Sequence, residues 1–206
     1  MTQVPTPVQA PAYLPGRSCA DCTMCCKVME IAELSKPQHK VCVHCEAGKG
    51  CKIYEARPRE CADFICLYLF DARFGEEWKP SKSRMVLTYQ RRANRLIIHV
   101  DKDRPDAWKR APYYAQIRQM AVAADRNRGQ VIVWQGEEAV AVLQGREKLL
   151  GRVRDDQVIV PQQQMGPQGL VTTDVLVLDR NDPRLQNRKL AADDFGAALR
   201  AFGSGG

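Results

Sequence analysis

The last 140 residues of this 206-residue chain contain no cysteine. Other things are scarce as well. Histidine occurs three times, and aromatic residues make up 7% of the chain. No apolar run approaches the roughly 18 residues of a membrane-spanning helix. The opening stretch, MTQVPTPVQAPAYLPG, has neither the basic start nor the apolar segment of a secretory signal. A reducing compartment, the cytoplasm, is therefore expected, where structural disulfides are rare. There is no glycine-rich phosphate loop, G-x-S-x-G, H-E-x-x-H or Walker pattern, so no catalytic class is implied. A repeat of solenoid length is missing, and so is the aromatic spacing of an RNA-stacking motif.

Against these absences stands one concentration. Nine cysteines lie between Cys19 and Cys66. They begin as C-x-x-C-x-x-C-C (Cys19, Cys22, Cys25, Cys26), continue as C-x-x-C (Cys42, Cys45), and end with Cys51, Cys61 and Cys66. A hydrophobic core does not need such crowding, because Leu or Val fills space equally well. A soft metal does need it: thiolates two residues apart on a short turn aim both sulfurs at one ion. The odd count agrees, since nine cysteines cannot all pair within one chain. Adjacent Cys25 and Cys26 point different ways, which lets them serve different metals or bridge one cluster. Four thiolates complete one tetrahedral zinc or one iron–sulfur cluster. Nine thiols favour two sites or one polynuclear site.

The alternatives differ by residue. Cys66 lies in an apolar stretch (Phe64, Ile65, Leu67, Leu69) and reads first as a small buried hydrophobe and second as a metal ligand. His44 sits inside the Cys42/Cys45 knuckle and is a secondary ligand candidate. His39 and His99 read as ordinary surface or sheet residues. Asp101, Asp103 and Asp106 form an acidic group that reads as turn and cap residues. The zinc reading has two or more ions held by Cys19, Cys22, Cys25, Cys26, Cys42, Cys45, Cys51 and Cys61. The alternative is iron or an iron–sulfur cluster, since C-x-x-C-x-x-C is similar to the bacterial ferredoxin run.

The residues also carry a family resemblance. Cys19-Ala-Asp-Cys22-Thr-Met-Cys25-Cys26 resembles the signature of the CxxCxxCC (YkgJ-type) zinc- or iron-chelating cysteine-cluster family of bacterial proteins. The stretch from Gly50 to Phe64, GCKIYEARPRECADF, is similar to the second half of that pattern. The resemblance covers about residues 17–70. It implies metal or cluster binding, with Cys19, Cys22, Cys25, Cys26, Cys51 and Cys61 as ligands. One departure is Thr23, where the family has Gly after the second cysteine. Tyr54 and Phe64 are expected to shield the cluster, and Arg57, Lys27, Lys49, Lys52 and Arg59 to offset its negative charge.

Three zones follow. Residues 1–16, with Pro5, Pro7, Pro11 and Pro15, predict a disordered lead-in. Residues 17–75 form a cysteine-rich metal-binding module. Residues 80–202 form an α+β region. Periodicity predicts helix over 59–74 and 106–126, the latter with Pro112 marking its true start. Strands are predicted at 85–90, 96–100, 130–134, 139–143, 157–160 and 171–178, with Asn94 turning the first hairpin. The fold class is then α+β: a metal-stapled module followed by an antiparallel sheet packed by one long helix. The net charge of +7 is uneven: +1 over residues 1–66, +7 over 67–128 and −1 over the rest. The basic 67–128 segment reads as a solvated face, or as a surface for an anionic partner, nucleic acid or an acidic protein.

Overall fold

The structure is a computed structural model that describes residues 13–19, 21–166 and 169–185. The sequence expectations for most of the lead-in and for the C-terminal tail lie outside the described residues.

The cysteine-rich segment is built from short pieces. Helix α1 (Met24–Val28) carries Cys25 and Cys26. A 3-10 turn over Ala32–Leu34 follows, closed by Ser35 in the left-handed region at φ 48°. Strands β1 (Cys45–Glu46) and β2 (Gly50–Cys51) make a small antiparallel ribbon. Helices α2 (Arg59–Ala62) and α3 (Leu67–Phe70) come next. The helix expected over 59–74 is thus broken in two. Cys66 is extended between them (φ −82°, ψ 116°), and its carbonyl accepts from Leu69 N at 2.9 Å. The break lets Cys66 turn inward while the polar residues before it stay outside.

After α4 (Pro80–Ser83) the chain forms β3 (Met85–Gln90) and β4 (Arg95–Val100), an antiparallel hairpin. A 3-10 turn joins them, and Asn94 takes φ 47° as its left-handed end. Helix α5 (Tyr113–Arg126) begins after Pro112, the N-cap. It is followed by β5 (Gln130–Gln135), β6 (Glu138–Leu143) and β7 (Arg146–Arg152). Sheet order is β3-β4-β5-β6-β7. β4 and β5 run parallel, with Arg95 opposite Gln130 and Val100 opposite Gln135. The sheet is therefore mixed and not wholly antiparallel as expected. The cause is the helix: α5 carries the chain back to the starting end of β4, so β5 must run the same way. β8 (Gln157–Gly166) and β9 (Gly169–Asp179) pair only with each other, as a long separate hairpin.

Side-chain alternation gives the sheet two apolar faces. Leu96, Ile98, Val100, Val131, Val133, Val140 and Val142 face α5 through Ile117, Ala121 and Ala124. The same cluster includes Met24, Val28, Cys66, Leu67, Leu69, Phe74 and Trp78. One core therefore runs from the cysteine-rich segment into the sheet. Ile132, Ala139, Ala141 and Leu143 face the other way and meet Ile159 and Val175 of the β8–β9 hairpin. Fully enclosing each Val, Leu or Ile side chain contributes about 1.5–3 kcal/mol.

No helix among the described residues is long and apolar enough to cross a membrane.

Candidate functional site

Backbone turns draw the cysteines together. Cys22 N donates to the Cys19 carbonyl and Cys45 N to the Cys42 carbonyl, each at 3.0 Å. These are the knuckle turns that the C-x-x-C spacing predicts. Cys42 N donates to the Cys26 carbonyl at 3.0 Å, which seats the second knuckle beside the first. In the ribbon, Cys45 lies directly across from Cys51. Cys61 is placed by a carboxylate clamp: Glu33 accepts from Glu60 N at 2.7 Å and from Arg59 N at 3.3 Å. That clamp ties α2 to the 3-10 turn after α1.

The result is a cavity of about 420 Å³. Cys19, Cys22, Cys25, Cys26, Cys42, Cys51, Cys61 and Cys66 line it, together with His44. Cys45 stands just outside the lining, but its thiol hydrogen-bonds to Cys26. All nine cysteines are free thiols; Cys66 is buried and the others half-buried. Met29, Ile31, Leu34, Ile53, Tyr54 and Phe64 supply much of the remaining wall. Cys66, which the sequence left as a hydrophobe, opens onto the cavity and belongs to the core at once. Among the described residues, no three His, Cys, Asp or Glu side chains meet as a finished metal-ligand set. Eight of the nine thiols nevertheless share one cavity wall.

The electrostatics of the chamber are those of thiols taken out of water. Burial raises the Cys19, Cys45 and Cys61 thiols above their usual range and pushes Cys66 up to about 12. A hydrogen bond with Cys25, followed by burial, drives Cys26 far higher still. Binding of a soft cation by thiols raised in this way would require their deprotonation. Chemically, the donor set fits zinc or iron: many soft sulfurs and one imidazole, on a wall that is mostly apolar and also carries Glu30, Lys49, Arg57 and Glu60. Such a metal would be held by the nine cysteines and would supply the cross-links of the segment.

Arg57 and Lys49 are the cations on the cavity wall, and Lys36 lies buried behind it. Lys36 is 7% exposed, and its ammonium donates to the carbonyls of Met29, Pro37 (3.2 Å) and Lys27 (3.4 Å). Burial draws it below the usual lysine range, while Cys42, Cys26, Cys25 and Cys61 pull the other way. No carboxylate pairs with Lys36 among the described residues. Arg57 lies 4.0 Å over the Tyr54 ring, donates to the Tyr54 carbonyl at 2.6 Å and faces Cys19. Tyr13 hydrogen-bonds the Cys19 thiol.

The sequence missed Lys36 and Tyr13, and nothing in their neighbours marks them. Of the cations it named, Lys27 instead pairs with Asp101 (2.7 Å) and Asp103 (2.6 Å). Lys49 pairs with Glu46 at 2.5 Å, and Arg59 with Asp63 at 3.1 Å. Asp101 is more than a turn residue. It is wholly enclosed (0% exposed) and bonds Lys27, Arg84 and the Asp103 amide. His39 is half-buried with neither ring nitrogen partnered, and it lies near His99, whose ring bonds Thr88 at 3.2 Å.

Several cations of the basic 67–128 segment sit in internal pairs. Lys79 meets Asp21, Lys82 meets Glu76, Arg84 meets Asp101, Lys109 meets Glu147 and Arg110 meets Asp106. Arg95 is buried.

Comparison with protein families, with curated proteins and with solved structures returns no match to this chain.

Proposed function

We propose that this protein binds soft metal ions through the cysteine chamber, as a zinc- or iron-chelating cysteine-cluster protein whose metals are structural or stored. The observation that carries the reading is eight cysteines on the wall of one cavity, with the ninth hydrogen-bonded to one of them. The CxxCxxCC resemblance over about residues 17–70 agrees with it. Two or more zinc ions suit the number of thiols. A structural zinc contributes on the order of 10 kcal/mol, enough to order a segment made of short helices and a two-residue ribbon.

An iron–sulfur cluster is the second reading, and the size and apolar walls of the chamber favour it. A cubane takes more room than single ions, and a mostly apolar surround tunes its potential. A role for the basic 67–128 segment in binding nucleic acid or an acidic protein is the weakest reading, because Lys79, Lys82 and Lys109 already face carboxylates of the same chain and the segment lacks the aromatic spacing of an RNA-stacking motif.

The deciding measurement is metal analysis with an absorption spectrum on protein purified without oxygen and without a histidine tag. Two or more zinc per chain and a colourless solution are expected. Iron with inorganic sulfide and a broad visible band would move the reading to electron transfer or redox sensing. Protein that takes up neither metal would end both.

A further inference from the structure

Nine thiols are more than one tetrahedral ion uses, and the fold divides them unevenly. Cys66 belongs to the apolar core, and Cys19, Cys22 and Cys25 pack against that same core. The other five thiols lie outside this cluster among the described residues. Arg57, on the cavity wall, stands by Cys19, while buried Lys36 interacts most with Cys42 and Cys26, and also with Cys25 and Cys61. The seam runs through α1, where consecutive residues sit about 100° apart around the axis. Cys25 therefore turns to the core and Cys26 toward the second knuckle, with a single hydrogen bond joining their thiols.

We propose that the chamber holds two soft-metal sites of different character. Cys19, Cys22, Cys25 and Cys66 form an inner site closed against the core. Cys26, Cys42, Cys45, Cys51 and Cys61 form an outer site beside Lys36. The partition rests on the metal-binding reading above and adds to it which cysteines act together. The inner group has the four donors that a tetrahedral ion takes and no spare one, so its metal is locked in and structural. The outer group has one thiol more than such an ion needs, with His44 also on the wall. A surplus donor lets one ligand leave as another arrives, which is what an exchangeable or delivered metal requires. The Lys36 ammonium offsets the excess negative charge of an outer thiolate site.

The test loads the full chain with zinc under anaerobic conditions and removes the excess. A strong chelator is then added, and native mass spectrometry follows the metal content over time. Wild type should release zinc in a fast and a slow phase. Cys19→Ser and Cys22→Ser should each lose the slow phase and keep the fast one. Cys42→Ser and Cys51→Ser should do the reverse. All four side chains are half-buried, and retention of the β-sheet amide spectrum identifies the variants that fold. A single release phase in wild type, or loss of all metal from folded variants of either group, overturns the partition and leaves the metal-binding reading standing. Wild type that takes up neither zinc nor iron sinks that reading, and the partition with it.

Discussion

Among single residues, Asp101 joins the two parts of the molecule most directly. It directly follows β4, yet its carboxylate reaches Lys27, the residue after Cys26. Burial alone would push this carboxyl up. Lys27, the Asp103 amide and Arg84 outweigh burial and hold it below the usual carboxylate range. A depressed carboxyl contributes stability that is fully present above its unfolded value of about 3.9 and is lost as pH falls through the folded value. Replacing Asp101 by Asn should therefore cost about 3 kcal/mol at neutral pH, because Lys27 and Arg84 lose their shared partner. Urea denaturation at pH 7 and at a pH below the folded value reads this out. The gap between wild type and D101N should narrow at the lower pH, and an equal gap at both would show that the carboxylate charge is not the cause. At this scale the sequence showed the thiols, because C-x-x-C spacing is local. It did not show Lys36 or Asp101, because burial of a charge is set by partners far along the chain.

At the scale of elements, the strands with β-branched alternation were legible, and β7 was not. Its sequence, REKLLGR, has the charge of a surface loop. It becomes a strand because β6 offers it an edge, with Glu138 opposite Arg152 and Leu143 opposite Arg146. The parallel pairing of β4 with β5 was hidden for a related reason: strand direction follows from where α5 docks, and the strands' own residues do not encode it. The β8–β9 hairpin read as part of the main sheet, yet it lies over one face. Arg95 is the polar bolt between them. It is 8% exposed and donates to Gln130 Oε1 at 2.7 and 3.1 Å and to the Ile159 carbonyl at 2.6 Å. Burial lowers its guanidinium to about 10, so it remains charged at neutral pH. Arg95→Met keeps the volume and removes the donors. It should destabilise the protein by about 1–3 kcal/mol, and amide exchange should rise in β8 and β9 before it rises in β3. Uniform acceleration across both sheets would mean that the hairpin is held by its apolar contacts alone.

In the whole molecule, the cysteine-rich segment and the sheet are joined by more than chain connectivity. The sequence reads as a module over 17–75 followed by an α+β region, because cysteine stops abruptly at Cys66. Composition cannot show that Met24, Val28, Leu67 and Leu69 enter the same apolar cluster as Met85, Val86 and Ile98. Nor does it show Trp78 donating to Gln116 Oε1 at 2.6 Å. If metal orders the chamber, its removal loosens Cys66, and with it one wall of the core that α5 and β3 share. Thermal unfolding followed at the sheet should then be one cooperative transition, and a strong chelator should shift the whole of it downward. Two separated transitions, with the sheet melting at the same temperature before and after chelation, would show that the core contacts carry no coupling. An unchanged single transition after quantitative metal removal would show that the metal is cargo and that these apolar contacts hold the fold without it.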